Sequence, residues 1–385
     1  MTNNIVFLRK NKKQNMGSVK KAFLFFAVIL FAVSPFLVKA SESHTAEIST
    51  HAEEPKTQRE EIDEYIDHHL QDDHYFSLYT DKKEGKTYGF PLPVIIIDGG
   101  VKIFMSSEFD FGKNTVEKDG QFYKLYHGKI YKTDATGTLN YDEHHHPTNA
   151  KALDLSITKN VVGLILATVL LFWGFIGLAK TYKKGANNLP KGAGRVLEPL
   201  VLYVRDEMAV PNIGHRYREF MPYLLSVFFL ILVLNLLGLT PLGFNVTGNI
   251  SVTICLAIFT FLLVNIKANK DYWKHIFWMP GVPVPFKFVL APIEVLGMFT
   301  KPFSLMVRLF ANITAGHTVI MGLIAIVYVL QQQLTLGGSI GVSMLLTTFL
   351  MVIEILVAFL QAFIFTMLSS LFIGMAVEEH NEAHH

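Results

Sequence analysis

At 385 residues the chain is long enough for two or three domains, and half of it is hydrophobic while only 17% is charged. The apolar residues fall in long blocks, which excludes an ordinary soluble protein and points to a polytopic membrane protein with a polar portion attached. The net charge of +2 hides an asymmetry: residues 41–156 carry 12 Lys/Arg against 22 Asp/Glu, which excludes a nucleic-acid or anionic-membrane surface there.

Residues 1–40 read as a secretory signal. Lys20 and Lys21 precede the apolar run Ala22 to Val38, and Val38-Lys39-Ala40 offers small residues at a cleavage position. An uncleaved first membrane helix is the other reading, and Met16 is an alternative start. Residues 41–155 then form an extracytoplasmic unit. Its first part, to about residue 75, is an acidic linker or short helix. From Tyr75 to about Asn140 short β-rich runs alternate with turn dipeptides. Val94–Ile97 and Val101–Phe104 flank Asp98-Gly99-Gly100 as a hairpin, and Asp119-Gly120 separates Val116 from Phe122-Tyr123. His144-His145-His146 could hold zinc or copper by donor type, but adjacent histidines lack ligand spacing. These three, like His380, His384 and His385, read as solvated chain, with no metal expected. The single cysteine, Cys255, excludes an intrachain disulfide framework.

The membrane domain occupies residues 156–380, followed by a short tail, 381–385. Asn160 to Ala179 is a first span of about 20 residues. Lys180 to Arg195 holds five basic residues and no acid, which makes it cytoplasmic. An N-terminus delivered outside by the signal gives the same orientation. Val196 to Met208 suits an amphipathic helix on the cytoplasmic surface. Pro222 to Leu239 and Ser251 to Ile266 are the second and third spans, joined by an extracytoplasmic loop. Lys267, Lys270, Lys274 and Lys287 mark a second cytoplasmic loop. The expected fold class is therefore an all-α polytopic membrane protein of about five embedded helices and one surface helix, with a small β-rich extracytoplasmic domain before it.

The last two apolar stretches, about Phe288 to Leu330 and Ser339 to Val377, would each reach about 60 Å as a helix, twice the hydrocarbon thickness. Each must be split or steeply tilted. Within them lie Arg308, His317, Glu354 and Gln361. If the pair is an antiparallel hairpin, Arg308 with Gln361 and His317 with Glu354 stand at equal distances from a turn near residue 335. There Gln331 to Gln333 and Gly337-Gly338 announce a loop. Arg308 and Asn312 are four apart and share a helix face, with Ser304, Ala311 and Ala315 near it. His317, nine residues on, points the other way about 13 Å further along. A charged guanidinium at bilayer depth costs at least about 3 kcal/mol unless it has water, a partner or a task.

Arg308-Leu-Phe-Ala-Asn312 with Ala315-Gly316-His317 resembles the stator subunit a of F-type ATP synthases. So do Asn235-Leu-Leu-Gly-Leu-Thr-Pro241, Glu294, Lys301-Pro302 and Leu360-Gln361-Ala-Phe-Ile-Phe365. The resemblance covers about residues 155–380. It implies a tilted helical hairpin against a ring of c-subunits, with Arg308 facing one ring carboxylate at a time. It also implies two offset proton half-channels. The outer is assigned His317, Glu354, Asn235, Asn249 and Ser251, and the inner Glu294, with Asn312 and Gln361 beside Arg308. The implied partners are the c-ring, the b-subunit peripheral stalk, the remaining synthase subunits, membrane lipid and protons, in a bacterial inner membrane. No cofactor and no catalysis of its own are expected, since no phosphate-binding glycine loop is present. Sodium coupling stays open, and an autonomous secondary transporter is the alternative from another class, although no internal repeat is found.

Overall fold

A computed structural model describes residues 72–81, 86–142, 147–184, 192–240, 244–279, 281–330 and 336–378. The signal, most of the acidic linker, His144 to His146 and the C-terminal histidines lie outside these.

The β domain is three small antiparallel sheets. β1 (Tyr75–Asp81) pairs with β2 (Lys86–Pro91). β3 (Pro93–Ile97) lies between β4 (Val101–Met105) and β8 (Leu153–Asp154). β5 (Thr115–Lys118), β6 (Gln121–Tyr126) and β7 (Lys129–Thr133) form a meander. The expected hairpins are present: Ile97 pairs with Val101, and Lys118 with Gln121. Asp119 and Gly120 both take positive φ, 52° and 76°, as a two-residue turn matched to strand twist requires. His127 and Gly128 repeat that geometry between β6 and β7 without the Asn-Gly or Asp-Gly signature. One face of β3 and β4 supplies Val94, Ile96 and Phe104 to a core closed by Phe109 and Tyr123. Buried Lys102 is satisfied there, donating to the Lys118 carbonyl and the Tyr123 hydroxyl, which in turn donates to Asp98.

Among the described residues five helical stretches are long and apolar enough to cross a membrane. α1 (Lys159–Lys184) starts four residues after β8. α2 (Ala193–Tyr203) runs through a π-helical turn, Val204–Ala209, and α3 (Val210–Ile213) into α4 (Tyr217–Gly238). α5 (Ile250–Lys267) and the short α6 (Lys270–Phe277) precede α7 (Val284–Leu330) and α8 (Leu336–Val377). α4 is the core helix, with Leu224, Phe228, Phe229 and Ile231 fully enclosed.

The segment expected on the membrane surface packs one side against the bundle and leaves Val196 and Leu202 exposed on the other. Val204, Met208 and Ala209 are completely buried, and Asn212 donates to the Met208 carbonyl and to the Ser370 hydroxyl of α8. α6 is additional to the expected spans. The two long stretches are unbroken helices of 47 and 42 residues despite Pro292 and Pro302. At 1.5 Å per residue they reach about 70 and 63 Å, so an upright orientation in a bilayer is excluded.

Gly374 of α8 lets that helix meet the chain at α3, because a methyl there would collide with the Asn212 carbonyl. Gly374→Val should cost about 1–3 kcal/mol by overpacking, read as a lowered thermal midpoint of the purified protein, whereas a change at exposed Val352 should be neutral.

Candidate functional site

α7 runs from the end of the bundle remote from the β domain toward it, and α8 returns. The helices pack side by side with their ends at Leu330 and Leu336, the turn near 335 lying outside the described residues. In this hairpin Asn312 Nδ2 donates to Gln361 Oε1 at 2.7 Å, and Gln361 is 2% exposed. Gln361 therefore engages the residue one turn beyond Arg308 rather than Arg308 itself. Equal-depth reasoning fixes position along the hairpin to about a turn, and the short amide, not the guanidinium, fills the gap between helices.

The second expected pair falls at the right depth. The Glu354 carboxylate lies against Gly316, where a methyl would collide with its oxygens. His317 follows directly in α7. A bulkier residue at position 316 would push the carboxylate from this position.

Arg308 is half-buried and forms no hydrogen bond or ion pair with a described residue. Beside it Ser304, Ala311 and Ala315 are exposed, while Leu305, Leu309 and Ile313 on the other side are packed inward. The arginine thus stands on an outward face of small residues, where another helix can approach closely.

Polar groups lie on both sides of this level. Toward the β domain, Asn235 of α4 is 1% exposed, accepts from the Thr247 hydroxyl at 3.0 Å and donates to the Ala358 carbonyl of α8 at 3.4 Å. Ala358 is one turn from Glu354. Asn249 caps α5, its Oδ1 accepting from the Ser251 amide at 2.9 Å, and Ser251 is buried. Thr247 was not foreseen: it sits in an irregular loop with no periodicity to mark its direction. Away from the β domain, Lys301 Nζ lies 5.4 Å from the centre of the Phe372 ring. It lines a cleft of about 20 Å³ with Thr260, Asn265 and Tyr272, and buried Asn265 Oδ1 has no partner there among the described residues. Glu294 is two turns before Lys301; burial, with the charge of Glu294, pushes the Tyr272 hydroxyl of α6 above its usual pKa. The sequence did not mark Asn265 and Tyr272, whose neighbours come from four different helices.

An intramembrane arginine on an outward helix face, with carboxylate and amide groups between the helices behind it, defines a multi-pass membrane protein of the ion-translocating class. The comparisons specify it further. The family model for the ATP synthase A chain matches residues 161–374, so the chain belongs to that family. The chain is 46% identical over 237 residues to ATP synthase subunit a 2 of Chlorobaculum tepidum, across 60% of this chain and 66% of that protein. It is 45% identical over 238 residues to ATP synthase subunit a of Chloroherpeton thalassium, across 60% and 70%. A relative in Anaeromyxobacter sp. is 41% identical over 263 residues, across 66% and 60%. A separate model, for a domain of unknown function, matches residues 65–155, the stretch that holds the β strands.

A double-mutant cycle on Asn312→Ala and Gln361→Ala should give a coupling of about 0.6–1.7 kcal/mol in thermal or denaturant unfolding. Asn312→Ala leaves the buried Gln361 amide unpartnered, so the singles should together cost more than the double.

Proposed function

We propose that the chain is the proton-conducting stator subunit of a rotary ATP synthase, and that it presents Arg308 to the carboxylates of a rotating c-ring. The observation that carries this reading is the placement of Arg308. It is an intramembrane cation without a partner among the described residues, on a face lined by Ser304, Ala311 and Ala315. A guanidinium stays charged at any physiological pH, so it favours an ionised ring carboxylate and blocks direct proton passage between the two sides.

His317, Glu354, Asn235, Thr247, Asn249 and Ser251 form the outer half-channel, and Glu294, with the cleft at Asn265, Tyr272 and Lys301, the inner one. Their offset along α7 is large. Glu294 is about 21 Å before Arg308, and His317 about 13 Å beyond it. A proton entering on one side must therefore be carried by the ring to reach the other. Each contributes about 2.3 kcal/mol per 100 mV, so several must pass per ATP. ATP chemistry belongs to partner subunits, with the b-subunit stalk holding this one still. The β domain lies outside the cytoplasm and the basic loop from Lys180 to Arg195 inside, in agreement with the positive-inside rule.

In inverted membrane vesicles Arg308→Ala should abolish ATP-driven proton pumping while the complex still assembles. Normal pumping by that variant would defeat the reading. Gly316→Val, which displaces Glu354, should depress pumping with Arg308 intact.

A further inference from the structure

The β domain meets the membrane helices where β8 leads into α1. Asp72, Asp73 and His74 wrap the junction where β8 becomes α1. Asp72 caps α1 from a distance in sequence, its Oδ1 accepting from the Asn160 amide at 3.1 Å and its Oδ2 from the Thr158 hydroxyl at 3.0 Å. The Asp73 carbonyl accepts from the Lys159 amide at 2.9 Å. His74 is 1% exposed, and its Nε2 meets Asp154 Oδ2 at 2.7 Å. An ionised carboxylate only accepts, so Nε2 carries the hydrogen. The other nitrogen, Nδ1, is buried and has no partner among the described residues.

This junction is continuous with the outer half-channel. Phe76, two residues after His74, has its ring 5.5 Å from that of Phe244. Phe244 and Val246 close on Gly163 of α1, where a methyl would meet both. The same loop carries Thr247, which holds Asn235, and Asn249, which caps α5. Through Phe76, the β domain thus rests on the segment that orders the proposed proton entrance.

We propose that Asp72–His74 is a proton-operated clasp seating the extracytoplasmic domain on the loop Phe244–Asn249, which makes His74 a positioning residue for proton entry. This rests on the half-channel reading above. The groups facing His74 are Asp72 and Asp73 from its own segment and Asp154 from β8, with Lys159 of α1 held close to Asp72 and Asp73. Burial alone would lower the His74 pKa, but the bond to Asp154 and the charges of Asp154, Asp72 and Asp73 outweigh it and hold the imidazole above its usual value. Burial likewise raises Asp72. A raised histidine favours the seated state below its ordinary pKa of about 6.5, and that advantage disappears as pH rises through the higher seated value. Asp154 is depressed because its bond and attraction to His74 outweigh burial, so its contribution is present above about pH 4 and lost in stronger acid. The clasp is therefore closed in mild acid outside, where protons are plentiful, and loosens as the outer side turns alkaline.

The test is hydrogen exchange of residues 244–249 in the intact synthase complex in lipid nanodiscs, from about pH 6 to about pH 9 and corrected for intrinsic exchange. Wild-type protection should fall with rising pH by up to about tenfold per unit by which the His74 pKa is raised. His74→Gln should flatten the profile, and Asp154→Asn should move its midpoint toward acid. A flat wild-type profile, or the same profile in His74→Gln, overturns the clasp, and the wild-type arm decides even if a variant fails to fold. ATP synthesis in proteoliposomes at constant total driving force should then decline as outer pH rises in the wild type and lose that dependence in His74→Gln. Identical profiles would overturn the positioning role. Normal pumping by Arg308→Ala would instead defeat the half-channel reading and leave the exchange result standing.

Discussion

A guanidinium that stays charged cannot sit in hydrocarbon, and this one demand orders the membrane domain. Arg308 needs a polar neighbourhood where α7 is otherwise apolar. Helices of 47 and 42 residues cannot stand upright in a bilayer and must lie obliquely in it. Small residues beside the arginine let another helix approach closely. Asn312 and Gln361 satisfy each other one turn along from the arginine.

The apolar core holds this arrangement in place. α4 is enclosed on nearly every side and gives α8 a fixed wall, and the π turn adds Val204 and Met208 beneath it. Several buried polar groups meet a partner there, as Asn235 does between Thr247 and Ala358 and the Tyr223 hydroxyl at the Thr260 hydroxyl. Unpaired polar atoms are costly in such surroundings, so each pair fixes the register between helices. The β domain is stabilised differently, by short sheets around Phe109 and Tyr123. It joins the membrane core through Phe76 and Leu92, which belong to the same apolar cluster as α1 and α4.

Much of this was legible in the sequence because its signals are local. Spans follow from the length of apolar runs, the strand pairs from Asp98-Gly99-Gly100 and Asp119-Gly120, and the hairpin from symmetric spacing about residue 335. What escaped depends on contacts between distant segments. Gln361 was placed opposite Arg308, but depth arithmetic has no term for which side chain turns inward, and Asn312 took that position. Thr247 was missed because its role exists only once a loop folds back onto α4. The clasp was missed for the same reason, as His74 and Asp154 are 80 residues apart.

The most direct test of the central claim is disulfide cross-linking of single cysteines on α7 to a cysteine beside the ring carboxylate in the assembled complex. Ala311→Cys and Ala315→Cys, on the open side with Arg308, should cross-link to the ring. Leu309→Cys, which faces the bundle interior, should not. Cross-linking confined to Leu309→Cys, or absent from all three in an active complex, would show that Arg308 does not face the rotor.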